Sequence, residues 1–342
     1  MAMTTFTSTS KPMEVSIPLH HSVPTEITSL IFVFEIQNGR DPTELALVCK
    51  DWKDITYGTR ALWTHFSFDL KTTSVSRAYR WFHLSQPLPF SLEISAGYDT
   101  CVVLPTELTP LIHSITPRLI NLSFHGSQSA IVQFFKALPP LLPLLHELCL
   151  EGQGSADWNT FYPKVEIDLP SLRSLSLSSC FYPGFCRLFP SIIPWSKLTN
   201  LEIVWPQASM PNLLIYILEC HNLIKCRLDL PFTTADFTVL PHKEYHLPHL
   251  RSLHLKLCNT GVIQLLDYVH LPALTELELS STYCHFCPKQ IQKLIALYER
   301  CPFALESLAL NQLTLDVGLC IEFTSKFRTL TSIRVDGSDS FR

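Results

Sequence analysis

Two groups of residues in this chain have the types and spacing to do chemistry. The first is the run Cys284-His285-Phe286-Cys287, with Cys301 as the next thiol along the chain. A structural zinc ion takes about four sulfur or nitrogen ligands in a tetrahedron. No second close Cys/His pair accompanies this run, so it reads as thiols packed where a strand leads into a helix, and no metal is expected. Cys49 falls on the apolar face of a helical pattern; it reads as packing, because a nucleophile needs a partner base and access. Gly152 and Gly154 are a lone pair of glycines suited to a loop, and His20-His21 sits in a polar leading segment. The chain has no phosphate loop, no HExxH, no GxSxG and no dinucleotide fingerprint. No catalytic residue and no cofactor are expected.

The second group is charged. Glu202, Lys225, Arg227, Asp229, His254, Lys256, Glu276 and Glu278 gather in one stretch of a chain whose charged residues are only 16% of the total, against about 25% in an average domain. What positions them is a repeat. The pattern L-x-x-L-x-L starts at Leu119, Leu145, Leu172, Leu198, Leu223, Leu250, Leu274, Leu305 and Leu330, with steps of 26, 27, 26, 25, 27, 24, 31 and 25. A weaker copy lies at Pro89 to Ile94. Each copy predicts a short strand whose alternate side chains point inward. Leu172, Leu175 and Leu177 face the core in one copy, as Leu250, Leu253 and Leu255 do in another. One strand cannot bury its apolar face alone, and stacked copies make a continuous core. This is the signature of a leucine-rich repeat.

The residues between the leucines then line the concave side. The middle row reads Ser123, Cys149, Ser176, Glu202, Arg227, His254, Glu278, Ala309 and Arg334. Glu202, Lys225, Arg227, His254, Lys256 and Glu278 are the candidate target-binding patch on it. Cys180 and Cys258 take the Asn/Cys position after the strand in two copies; Gln153, Pro206 and Pro231 take it in others, so the array is irregular. Between strands, Ser127 to Leu138, Pro211 to Cys220, Thr260 to Val269 and Pro288 to Tyr298 predict helices, with Ser127 as a cap and Pro211 and Pro288 in first turns. The steps Leu169-Pro170, Leu247-Pro248 and Leu271-Pro272 are expected to stop a preceding helix.

Residues 23–65 follow a different rule. VPTEITSLIFVFEI predicts an amphipathic helix beginning at Pro24, with Ile27, Leu30, Ile31 and Phe34 on its apolar side. After the turn QNGRDP, Leu45, Val48, Cys49, Trp52 and Ile55 fall at helical spacings. The residues Pro24, Glu26, Ile27, Ile31, Phe32, Leu45, Val48, Cys49, Lys50, Trp52, Leu62 and Trp63 stand in the order of an F-box, and the segment resembles one, departing at Val23 where Leu is usual. With the repeats behind it, the chain resembles the F-box proteins that carry C-terminal leucine-rich repeats. The resemblance implies an α/β chain: a small all-α F-box module at 23–65, then a linking region at 66–118 with a degenerate first repeat. A solenoid at 119–342 follows, its curved parallel sheet backed by helices and irregular segments on the convex side.

It also implies a function. The F-box would dock on a Skp-type adaptor and through it on a cullin, with Pro24, Ile27, Leu30, Ile31, Val48, Cys49 and Trp52 as the adaptor-binding positions. The repeats would hold a target protein for ubiquitination, and the chain itself would be no enzyme. The alternative is an F-box or leucine-rich-repeat interaction scaffold without a ligase role. A net charge of −4 and the lack of any Lys/Arg run argue against nucleic acid. No apolar run reaches the ~18 residues of a membrane span. The segment 1–22 reads as disordered and has no secretory h-region. The expected location is cytoplasm or nucleus, and the 12 cysteines are expected to be reduced thiols.

Overall fold

A computed structural model of the chain describes residues 23–37, 40–97, 106–153, 167–178, 192–204, 211–229, 244–256, 262–280, 288–311 and 325–336. The chain divides into two compact units. One takes in the described residues up to Thr64 with Leu84–Leu88; the other takes in His65–His83 and the described residues from Pro89 onward. The segments 1–22, Cys180, Pro206, Pro231, Gly154, Cys258 and Cys284–Cys287 lie outside the described residues.

The second unit is α/β and is organised by one 11-stranded sheet in which every neighbouring pair is parallel. Its strands are β1 (His65–Asp69), β2 (Phe90–Gly97), β3 (Leu119–Ser127), β4 (Glu147–Gln153), β5 (Ser174–Ser178), β6 (Asn200–Val204) and β7 (Lys225–Asp229). They continue, past a two-residue strand β8 (Tyr245–His246), as β9 (Ser252–Lys256). After β10 (Val269–His270), again two residues, come β11 (Glu276–Ser280), β12 (Ser307–Asn311) and β13 (Ser332–Asp336). The order in the sheet follows the order in the sequence, with β8 and β10 paired separately. Such a progression, one strand per repeat, is compatible with a solenoid.

The leucine template accounts for the register. Leu122, Leu148, Leu175, Leu201, Cys226, Leu253, Leu277 and Leu308 pair in sequence across the sheet, and all are buried. The first leucine of every copy from Leu119 to Leu305 is also buried, and Leu330, in the last copy, is half-buried. Burying a leucine side chain fully is worth roughly 1.5–3 kcal/mol, and a stacked array sums that gain along its length. The sheet also begins before the leucine pattern does. β1 and β2 bury Phe66, Phe68, Phe90, Leu92 and Ile94 on the same face, so aromatic residues extend the core into 65–97. On that core lies α4 (Val75–Ser85), whose Trp81 indole donates to His65 O at 2.9 Å and whose Phe82 ring meets Phe90 at 4.7 Å.

Helices connect some strands. α5 is Leu108–Ile115 and α6 is Gln128–Ala137. Ser127 caps α6 by accepting from the Ala130 amide at 3.3 Å, and Phe134 packs against Phe124 at 5.0 Å. α7 (Pro211–Leu218) and α8 (Pro288–Arg300) start at the prolines expected to start them. The segment around Thr260 differs from expectation. A 3-10 helix covers Val262–Asp267, and Val269 already belongs to β10. The Leu-Pro steps differ as well: Leu247 and Leu271 follow β8 and β10, and Leu169 follows Asp168, which bridges Leu141 in parallel. The prolines therefore end short extended segments. A proline has no amide to donate to a continuing ladder, so it stops a strand as effectively as a helix.

In the first unit, α1 (Thr25–Gln37), α2 (Pro42–Leu45) and α3 (Lys50–Gly58) are followed by a 3-10 turn over Arg60–Trp63. The helical spacing from Leu45 to Ile55 is thus split in two. Asp41 caps α2 by accepting from the Thr43 amide at 2.7 Å. Cys49 is extended, with φ −159° and ψ 173°, and its sulfur accepts from the Trp52 amide at 3.5 Å. Cys49 is therefore the cap of α3 and does not lie on a helix face. Phe32, Leu45, Leu62 and Trp63 are buried; the Phe32 and Trp52 rings meet at 4.7 Å, and the Trp63 indole donates to Thr56 O at 2.9 Å.

Candidate functional site

Each unit presents a distinct surface. On α1 the buried residues are Thr28 and Phe32, whereas Ile27, Leu30, Ile31 and Phe34 are exposed. These four recur at i, i+3, i+4 and i+7, the spacing of one helix face. An apolar stripe of this period ordinarily turns inward; here Leu30 is 64% exposed. Leu47 and Val48, in the turn between α2 and α3, are 85% and 61% exposed. Of the positions the F-box resemblance singles out, Pro24, Ile27, Leu30, Ile31 and Val48 are open to solvent, while Cys49 and Trp52 are half-buried. The unit spends Phe32, Leu45, Leu62 and Trp63 on its own core and keeps a second set of apolar residues outside it.

On the sheet of the second unit, the face opposite the leucines carries the middle row. Its register runs Ser67, Glu93, Ser123, Cys149, Ser176, Glu202, Arg227, His254, Glu278, Ala309 and Arg334. Glu202, Lys225, Arg227, His254 and Glu278 border one shallow cleft of about 360 Å³. Arg227 Nε lies 3.5 Å from Glu202 Oε1, and His254 Nδ1 lies 3.2 Å from Glu278 Oε2. Lys256 lies outside that cleft and pairs with the buried carboxylate of Asp229 at 2.7 Å. Burial pushes the His254 imidazole below its ordinary pKa, helped by Arg227 and opposed by Glu278, Asp229 and Glu202. The ring is then a neutral hydrogen-bonding group that gives Nδ1–H to Glu278 and takes the Ser280 hydroxyl on Nε2 at 3.3 Å.

No family model matches the chain, and no curated protein sequence matches it significantly.

One cluster on the same face was hidden in the sequence. Ser123 Oγ lies 2.8 Å from His125 Nε2, and His125 Nδ1 lies 2.9 Å from Glu151 Oε2. That is the connectivity of a nucleophile, a base and an orienting carboxylate. Only register could reveal it, since His125 and Glu151 are 26 residues apart and sit side by side on β3 and β4. The surroundings point away from acyl transfer. Glu93 Oε1 reaches the same Nε2 at 3.6 Å, and β3 lies between β2 and β4, which claim its amides for the ladder. A tetrahedral oxyanion needs donors aimed at it, and strand amides already paired on both sides supply none. The cluster holds an imidazole between two carboxylates and gives a polar contact surface.

Two thiols are closed off. Burial pushes the Cys226 thiol up to about 12 and that of Cys220 up as well, so neither offers a thiolate at neutral pH. Among the described residues, no group of three or more His, Cys, Asp or Glu side chains is placed to hold a metal ion. Among them, too, no helix is long and apolar enough to cross a membrane.

Proposed function

We propose that this chain is the substrate-recognition subunit of a Skp–cullin–F-box ubiquitin ligase. Its first unit is an F-box that docks on the Skp-type adaptor, and its second is a leucine-rich-repeat solenoid that holds a target protein. The observation that carries the reading is the outward-facing stripe Ile27, Leu30, Ile31 and Phe34, with Leu47 and Val48 beside α3. A unit this small cannot leave so many apolar side chains in water without a use for them, because exposed apolar patches mark contact surfaces. Ile27, Leu30, Ile31 and Val48 among them are adaptor-binding positions that the F-box resemblance implies. The half-buried Cys49 and Trp52 support that surface, one by starting α3 and the other by packing on Phe32.

The mechanism in this reading is positional. The adaptor end is fixed to a cullin, the polar sheet face holds the target through Lys225, Arg227, Glu202, His254, Lys256 and Glu278, and tethering raises the target's effective concentration at the ubiquitin-conjugating enzyme. No bond is made or broken on this chain, and it acts in cytoplasm or nucleus. Binding of the purified adaptor to the full chain is the test. Adaptor binding with no effect on ubiquitination of a captured protein would favour an interaction scaffold without a ligase role.

A further inference from the structure

The residues immediately before the strands form a second row, distinct from the polar sheet face. Arg173, Thr199, Ile224 and Arg251 precede β5, β6, β7 and β9. Each carbonyl in this row accepts two amides from the next repeat: Arg173 O from Thr199 and Asn200, Thr199 O from Ile224 and Lys225, Ile224 O from Arg251 and Ser252. The backbone of the rim is thereby fixed, and its side chains are presented at the strand spacing of roughly 4.8 Å. They border a cleft of about 740 Å³.

The character of this cleft is consistent along its length. Arg173, Lys197, His249 and Arg251 border it, and no carboxylate does among the described residues. Arg173 and Lys197 donate to the backbone carbonyls of Leu172 and Pro170 at 3.0 and 3.2 Å, and neither has an acidic partner among the described residues. The sheet face differs, for Arg227 and Lys256 there are matched by Glu202 and Asp229. Between the cations lies Ile224, 39% exposed. Beyond β9 the row continues with Thr275 before β11 and Glu306 before β12; Glu306 is exposed, as is Glu276, the first residue of β11. In a chain with a net charge of −4, a cationic stretch with no carboxylate among its described neighbours and an exposed isoleucine within it is a departure that calls for a ligand.

We propose that this rim cleft binds an extended acidic peptide of the pattern acidic-x-apolar-x-acidic. Arg173 and Arg251 are separated by three strand steps, roughly 14 Å. An extended peptide rises about 3.4 Å per residue and turns alternate side chains to one side. Side chains i and i+4 then reach the two arginines, and i+2, about 7 Å along, falls between Thr199 and Ile224, within side-chain reach of the isoleucine. Lys197 adds to the attraction for the anion at the Arg173 end, and Glu276 and Glu306 repel a peptide that runs further. The anion is a carboxylate or a phosphate, since a guanidinium grips either through paired donors. This site is separate from the adaptor surface and from the sheet face, and it stands whether or not the chain enters a ligase.

Fluorescence anisotropy of labelled peptides titrated with the full chain tests it. A Glu-Ser-Leu-Ser-Glu peptide should bind saturably and more weakly as salt rises, whereas Lys-Ser-Leu-Ser-Lys should not bind. Arg173→Gln with Arg251→Gln should weaken binding about tenfold, the loss expected from two exposed charge contacts, with the thermal melt unchanged; Arg227→Gln on the sheet face should leave it intact. A phosphoserine version that binds tighter assigns the anion to phosphate, and equal binding assigns it to carboxylate. Absence of saturable binding by either acidic peptide, undiminished binding by the double variant, or equal loss in Arg227→Gln would overturn the proposal.

Discussion

Truncating Leu30 and Phe32 to alanine, separately, distinguishes a helix that faces a partner from one that faces its own core. The two residues are neighbours but one on α1, and both are large and apolar. Leu30 is 64% exposed and Phe32 is 1% exposed, with its ring 4.7 Å from that of Trp52. Removing a buried phenylalanine costs about 3–5 kcal/mol through lost transfer energy and the cavity left behind. Removing a leucine that already faces water changes stability by no more than about 0.5 kcal/mol. A chain with two units need not unfold in one step, so the readout is hydrogen exchange at the amides of α1 and α3. At about 1.4 kcal/mol per factor of ten, Phe32→Ala speeds exchange there by roughly 100-fold or more, and Leu30→Ala leaves it within about two- to threefold. Equal acceleration by both variants would mean that the stripe is covered in the free protein, and the docking argument built on it would fail.

Two further outcomes follow from the second unit. Burial lowers the folded-state pKa of His254, so the unfolded chain takes up a proton first as pH falls. The stabilisation is present above the unfolded value near 6.5 and is lost as pH drops from there through the folded value. His254→Gln should therefore lose less stability than wild type between pH 7.5 and 5.5, read from urea midpoints; an unchanged pH dependence would refute the assignment. Gly126→Ala puts a Cβ 2.7 Å from Ala96 Cβ and 3.2 Å from Gly97 O, where β2 and β3 come close. Overpacking of this kind costs about 1–3 kcal/mol, which should appear as a lowered thermal midpoint, and an unchanged midpoint would mean the strands can separate freely.

The repeats were legible because a leucine at every strand position is a strong periodic signal, and the strands from Leu119 onward lie where it puts them. Ser127 announced the start of α6 by its type, and Pro211 and Pro288 announced α7 and α8. β1 escaped the same template because it fills the leucine positions with Phe66 and Phe68, and β2 showed only as the weaker copy at Pro89 to Ile94, with Phe90 where other strands have leucine. The break at Cys49 was concealed by helical spacing that continues through it; a sulfur cap is a weak sequence signal beside Ser, Thr, Asp or Asn. Periodicity also could not tell whether Ile27, Leu30, Ile31 and Phe34 face a core or the solvent, because the stripe is the same in both cases. That depended on Phe32 and its contact with Trp52. The polar row was predictable from the leucines, but the pairing of Ser123, His125 and Glu151, and the rim of Arg173, Ile224 and Arg251, depend on register between segments some 25 residues apart.

Whether the exposed stripe of the first unit docks on a Skp-type adaptor is decided by calorimetric titration of the full chain with the purified adaptor, comparing wild type with Leu30→Asp/Val48→Asp. Both substituted residues are exposed, so the variant should keep its fold, which its circular dichroism would verify. Wild type should form a stable complex. In the variant, two charges placed in the contact should weaken it at least about 100-fold, the scale of losing interface hot spots. A wild-type chain that does not bind the adaptor, or a folded variant that binds it equally well, would contradict the F-box reading.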